Sequence, residues 1–283
     1  MTGEFDGWHK TIAKDKDRLQ SSILAWVVGI LLVLAAVAPP VGALKLGLPL
    51  WPLARPLLFS AGFALLVWLL RAATTAASFM GFLICFILAQ SPEVWTRYSA
   101  YPVPRPAVAA LVAVFVLSFA ATKFGRAKKE ARGLSESRHG RKASQIVANL
   151  GVAALFATAG RYDGSIAALA EAAADTVSSE VGQAAAGPAR LLTTWRSVPE
   201  GTDGGISLIG TAAGLAAAAV IVAIGAAHDS LSPGKVRIFL AASAGLFFDS
   251  LLGATAERHG WIGNDLVNFA STLVAALIAT ALS

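Results

Sequence analysis

The chain has 283 residues, of which 56% are hydrophobic and only 14% charged. Soluble domains carry roughly 25% charged residues, and a mean hydropathy of +0.65 is more than a soluble core of this size can hide. A disordered chain, a fibrous repeat and an ordinary cytosolic enzyme are excluded, and a polytopic membrane protein is indicated. The single cysteine, Cys85, permits no intramolecular disulfide and no cysteine-based zinc site, and His9, His139, His228 and His259 lack metal-ligand spacing.

A spanning helix needs about 20 mostly apolar residues. In chain order the clear stretches are 22–38, 56–70, 72–89 and 107–122, followed by the more polar 145–160, 165–182, 207–227, 237–253 and 266–282. The sequence therefore predicts an all-α, polytopic transmembrane helical bundle of about nine spans. The fifth and sixth stretches are short, and a re-entrant segment is the alternative for one of them. Nothing alternates as the strands of a membrane barrel do. The organisation reads as a tail (1–21), a four-span scaffold (22–122), a basic loop (123–144) and a bundle rich in small residues (145–283).

Charge placement orients the spans. The tail carries Lys10, Lys14, Lys16 and Arg18. The loop 123–144 carries Lys123, Arg126, Lys128, Lys129, Arg132, Arg138, Arg141 and Lys142. Four spans separate the two clusters, an even number, so both fall on one side, and the positive-inside rule makes that side cytoplasmic. Alternation then puts 183–206 and 254–265 in the cytoplasm and 161–164 and 228–235 outside. The Ala36-Val37-Ala38 run resembles a signal-peptide cleavage site, but the long tail before it and the prolines after it favour an uncleaved span. The tail itself reads equally as a surface-lying segment or a solvated one. Trp51, Trp95, Tyr98 and Tyr101 fit an interfacial belt on the outer side.

The first four spans are nearly free of acids and read as lipid-facing scaffold. The later spans are rich in Ala, Gly and Ser, and Gly210 and Gly214 form a small-xxx-small pair that lets helix backbones approach closely. The sixth span carries Glu171, Asp175 and Ser179 at four-residue spacing, hence on one helix face, with Glu180 beside them. A carboxylate in a spanning helix is costly without a partner, a cation or water. Either these acids hold a metal or phosphate at the cytoplasmic end, or they pair with a nearby Lys or Arg. Asp249 closes the eighth span. Asp265 opens the ninth, as a ligand or as a helix cap, with Asn268 one turn inside. Acids from three spans at one depth suit Mg²⁺, which takes one or two carboxylates plus phosphate oxygens.

Two further segments fit anions. The glycine-rich Gly201-Thr202-Asp203-Gly204-Gly205 run leads through Ser207 into a helix N-terminus, where free N–H groups and the dipole favour negative charge, although glycine there is often only a turn. The basic loop is punctuated by Gly125, Gly133 and Gly140. It reads equally as topology plus attraction to anionic lipid and as a shaped phosphate-binding segment. It lacks interleaved aromatics, so nucleic acid is not its partner.

The segments KFGRAKKEAR (123–132), ADTVSSE (174–180), GTDGGIS (201–207), DSLLGA (249–254) and NDLVNF (264–269), in this order, resemble the integral-membrane family that contains the plastid phytyl-phosphate kinase of the tocopherol pathway. The resemblance covers roughly residues 107–283. It implies a CTP-dependent kinase of the inner membrane that phosphorylates an isoprenyl monophosphate lipid to the diphosphate, with Mg²⁺ as cofactor. By position it implies Asp175, Glu180, Asp249 and Asp265 as metal or nucleotide-phosphate groups, with Asp175, Asp249 and Arg132 catalytic. It likewise implies that Arg126, Lys128, Lys129 and Arg132 hold phosphates and that Gly204, Gly205 and Ser207 cradle the nucleotide. The basic loop and the polar residues around these motifs add Lys123, Arg138, Arg141, Gly201, Thr202 and Asn268 to the expected nucleotide- and phosphate-binding set. The competing reading is a transporter or flippase of an anion or lipid phosphate that consumes no nucleotide. The Asp-Gly-x-x-Ala-Arg signature of CDP-alcohol phosphotransferases is absent.

Overall fold

The computed structural model describes residues 12–90, 106–132, 134, 140–185, 187–226 and 233–283. The helices are α1 (Lys14–Lys45), α2 (Ala54–Leu69), α3 (Thr75–Ala89), α4 (Pro106–Lys123), α5 (Arg126–Ala131), α6 (Ala143–Thr158), α7 (Tyr162–Ala184), α8 (Leu208–Gly225), α9 (Pro233–Leu252) and α10 (Asn264–Ala281). Each expected span falls on one of them. Length and apolarity alone qualify six helical stretches to cross a membrane, in α1, α2, α4, α8, α9 and α10. Helices α3 and α6 are apolar but shorter, and α7 carries acids, so the expected count of nine is not reached on these criteria alone.

Two boundaries differ from the sequence reading. Helix α1 begins in the basic tail and continues through Pro39 and Pro40 to Lys45. Its 32 residues extend about 48 Å at 1.5 Å per residue, well beyond a hydrocarbon core about 30 Å thick. The segment 183–206, expected as plain loop, contains an antiparallel three-stranded sheet of order β2-β1-β3, from Ala189–Leu191, Ser197–Val198 and Gly205–Ile206. Strands of two and three residues are too short to show the alternation that announces a strand. The positive φ of 54° at Trp195 turns β1 back on β2.

Helix α7 is the axis of the bundle. It packs against α4, α6, α8, α9 and α10, and its residues are buried around nearly the whole circumference. This placement explains how it tolerates carboxylates: they face protein, not lipid. Small residues set the spacing to α8. A Cβ on Gly210 would stand 2.6 Å from the Ser178 carbonyl, and one on Gly214 would stand 2.6 Å from that of Ala174. By contrast α1 and α2 turn large apolar side chains outward, with Trp26 and Leu58 both 71% exposed, as lipid contact requires.

Contacts at the two ends agree with antiparallel alternation. At one end Lys16 Nζ and Gln20 Nε2, at the start of α1, donate to the carbonyls of Gly260 and Trp261. There also the α2–α3 turn joins the basic segment: Arg141 N donates to Ala72 O and Thr74 N to Arg141 O. At the other end Gln90 Nε2 meets Ala36 O, Tyr162 Oη meets Gly225 O, and Arg237 Nη1 meets Leu282 O. The tail-side start of α1, the basic segment and the sheet thus share one end, as the charge distribution predicts. Trp51 is exposed on the turn between α1 and α2, at the opposite end from the basic segment; Trp95, Tyr98 and Tyr101 lie outside the described residues.

Candidate functional site

At the end that carries the basic segment, a polar cavity of about 300 Å³ opens between α6, α7, α9, α10 and the sheet. Asp175 and Ser179 enter it from α7, Asp249 and Ser250 from α9, Asn264 and Asn268 from α10, and Gln145 and Asn149 from α6. The glycine-rich run 201–205 forms its roof, with Thr202, Asp203 and Ser207 in the wall. Arg141 is the cation of this wall among the described residues, and it lies within electrostatic reach of Asp175.

The glycines of the roof are explained by packing. Gly204 has a φ of +71°, and a Cβ there would overlap the backbone of Ala254; a Cβ on Gly253 would in turn stand 2.6 Å from Gly204 N. The 201–207 and 249–254 segments therefore interlock glycine against glycine. Ser207 caps α8, its Oγ accepting from Gly210 N at 3.1 Å. After Leu252 the chain makes a π-helical turn, Gly253–Glu257. Such a turn inserts one extra residue per helical repeat and re-aims the side chains beyond it. Here it delivers Glu257 into the cavity wall, within repulsive reach of Asp203 and Asp175.

The cavity is acidic beyond what its neighbours compensate. Glu171, one turn deeper on α7, is 1% exposed, and Asp175, Asp249 and Glu171 are near enough to repel one another. One oxygen each of Glu171 and Asp249 is buried without a hydrogen-bond partner. Buried unpaired carboxylate oxygens are costly, and a cation relieves that cost. Among the described residues no three carboxylate or imidazole side chains converge closely enough to enclose an ion unaided. The donor set fits Mg²⁺ that draws the rest of its shell from water and a ligand's phosphates.

The other expected site residues divide into groups. Glu180 lines the cavity but is bound to Lys129: the Lys129 ammonium pairs with it and also donates to the carbonyls of Ala121 and Thr122. Asp265 is buried at the start of α10 and does not line the cavity. Arg132 is exposed and faces Glu200 at 3.6 Å, Arg126 pairs with Glu130 at 2.9 Å, and Lys128 points to solvent. Arg138 lies outside the described residues.

A second cavity, of about 320 Å³, lies between α2, α3, α4 and α6, with Ala172 and Thr176 of α7 at its base. Its wall is apolar along most of its length and cationic at the end, where Arg71, Lys123, Arg126, Lys129 and Arg141 gather. Arg141, Asn149 and Thr176 line both cavities. The basic segment therefore serves this second cavity more than the acidic one. Sequence reasoning missed Arg71, Glu257 and Asn149; no motif flagged them, although an arginine at the mouth of a short inter-helix turn and an acid three residues past the 249–254 segment were visible signals.

The chain resembles known proteins. It is 32% identical over 187 residues to Protein VTE6, chloroplastic, of Arabidopsis thaliana, covering 60% of this chain and 56% of that protein. The chain thus spans little more than half the length of that relative. It is 34% identical to the uncharacterized membrane proteins MJ0933 of Methanocaldococcus jannaschii and sll0875 of Synechocystis sp., covering 59% and 60% of this chain and 72% and 70% of theirs. No solved structure matches. The family model described as integral membrane protein DUF92 matches residues 58–276, a range that takes in both cavities and runs from within α2 to within α10, so the chain belongs to this integral membrane family.

Proposed function

We propose that this protein is a membrane kinase that transfers the terminal phosphate of a nucleotide to an isoprenyl monophosphate, giving the diphosphate. The observation that carries the reading is the polar cavity itself. Asp175 and Asp249, from different helices, share one wall with Arg141 beneath a glycine-rich roof, at the end of the bundle that bears the basic segment. The resemblance of the five motifs supports CTP as the nucleotide. The positive-inside rule turns this end to the cytoplasm, where nucleotide is available.

Asp175 and Asp249 would hold Mg²⁺, which would supply charge neutralisation on the nucleotide phosphates. The acceptor is already an anion, so no general base is required. An oxygen of the monophosphate attacks the terminal phosphorus of the nucleotide in line. A new P–O bond forms, the bond to the β-phosphate oxygen breaks, and the nucleoside diphosphate leaves with its electron pair. Arg141, between the cavities, orients the acceptor phosphate and offsets charge on the transferring group, the task a guanidinium performs in phosphoryl transfer.

Purified protein in lipid nanodiscs, given CTP labelled at the γ-phosphate, Mg²⁺ and a series of isoprenyl monophosphates, is expected to yield labelled isoprenyl diphosphate. No labelled diphosphate there, with movement of lipid phosphate across the bilayer of proteoliposomes and no nucleotide consumed, would overturn the assignment in favour of a flippase.

A further inference from the structure

The apolar cavity has no part in the chemistry above, yet its position is specific. It begins at the cations Arg71, Lys123 and Arg141 and runs inward past Gly81 and Ile84 on α3 and Leu111 on α4. From Leu111 to Thr122, both in its wall, α4 rises about 16 Å at 1.5 Å per residue. Helices α2 and α4 bridge it through Phe63 and Phe115, whose rings stand edge to face 5.5 Å apart. An apolar tube with cations at one end complements an amphiphile with an anionic head and a long chain. The shared wall of Arg141, Asn149 and Thr176 puts that head next to the acidic cavity.

We infer that the cavity between α2, α3 and α4 is the binding site for the hydrocarbon chain of the acceptor lipid monophosphate, and that Gly81 sets how long a chain it takes. The inference rests on the kinase reading for the word acceptor; the binding itself stands apart from it. It gives the first spans, which read as scaffold in the sequence, a role in selecting substrate. The α2–α3 corner is built for this. Arg71 adopts a φ of 53°, and Gly140 packs so closely on it that a Cβ would stand 2.7 Å from Arg71 O. The corner is therefore pinned to the segment that carries Arg141. A Cβ on Gly81, which lines the cavity, would meet nothing within 4 Å, so Gly81→Leu starts its side chain without a backbone clash.

The test measures binding of geranylgeranyl monophosphate, dimethylallyl monophosphate and phosphatidylglycerol to the full chain in nanodiscs, for the unaltered protein and Gly81→Leu. The expected result is loss of geranylgeranyl monophosphate affinity by about tenfold or more in the variant, with dimethylallyl monophosphate affected little and the stabilisation by CTP and Mg²⁺ retained. In the unaltered protein a photoreactive diazirine at the chain terminus is expected to label α3 or α4 near Ile84 and Leu111. Equal long-chain affinity in both proteins, labelling elsewhere, or phosphatidylglycerol binding as tightly as the monophosphate would overturn the inference. Chain-dependent binding without any phosphate transfer would leave the chain site standing and remove the kinase reading.

Discussion

Lys129 and Glu180 form an ion pair closed off from water, with side chains 1% and 8% exposed. The Lys129 ammonium has three protons, and they meet Glu180 and the terminal α4 carbonyls of Ala121 and Thr122. Glu180 also accepts from Thr122 Oγ1 at 3.1 Å. The pair thus ties the end of α4 and the last turn of α5 to α7, the helix that carries Asp175. Removing one partner strands the other as a buried charge, at a cost of about 3–5 kcal/mol, whereas an apolar pair of similar volume is often tolerated. Lys129→Met and Glu180→Leu are therefore each expected to lower the melting temperature in detergent sharply, and the double variant to recover most of the loss. Single variants as stable as the parent but defective in phosphate binding would return Lys129 to the role of phosphate ligand.

The acids of the polar cavity behave in the opposite sense. Asp249 has a buried oxygen without a partner and stands within repulsive reach of Asp175 and Glu257. Asp249→Asn and Asp175→Asn each remove part of that repulsion, so the ligand-free protein is expected to be as stable as the parent or more so. Both variants should lose the rise in melting temperature that Mg²⁺ with CTP gives, because only ligands that bind the folded state raise its stability. Transfer should fall by about 10- to 100-fold, the scale for groups that orient a catalytic ion. A parallel drop in ligand-free stability would make these residues structural.

Gly204 tests the interlocked roof. Its φ of +71° disfavours any side chain, and a Cβ would overlap Ala254. The left-handed conformation alone costs about 1–2 kcal/mol, and displacement of the 249–254 segment adds to it. Gly204→Ala is expected to lower both thermal stability and nucleotide binding. Gly42→Ala is the control: it lies inside α1 with open space around it, where alanine stabilises a helix by about 0.5–1 kcal/mol. Thermal melts of both variants separate a constrained glycine from an incidental one.

The sequence revealed Asp175, Asp249 and the glycine-rich run because each breaks a pattern: a charge inside an apolar helix, or glycines clustered at a helix start. It also revealed the shared end of the tail and basic segment, since charge asymmetry is written in composition. The division of labour among the cations was not legible. Lys128, Lys129 and Arg132 look alike along the chain, but a six-residue helix turns Lys129 inward to Glu180 and the other two outward. Glu257 was hidden because a π-helical turn has no compositional mark, and Arg71 because an isolated charge beside a short turn carries no periodicity. The apolar cavity is a gap between helices, and a gap is a property of packing alone.

Arg141 carries the final prediction because it touches both cavities and its two parts do different work. Its backbone joins the α2–α3 turn through hydrogen bonds to Ala72 and Thr74, so substitution of the side chain leaves that corner intact. Its charge lies within electrostatic reach of Asp175, and the residue lines the cationic end of the apolar cavity. Arg141→Gln is expected to reduce kcat/KM for the lipid acceptor by about 10- to 100-fold, the worth of a hydrogen bond to a charged group. The KM for nucleotide should change little, because the glycine-rich roof and the acids remain. Arg141→Lys should restore only part of the loss, since an ammonium keeps the charge and lacks the planar fork that fits a phosphate. Full rescue by lysine would reduce the role of Arg141 to charge alone, and an equal rise in both KM values would place it on the nucleotide instead of between the two substrates.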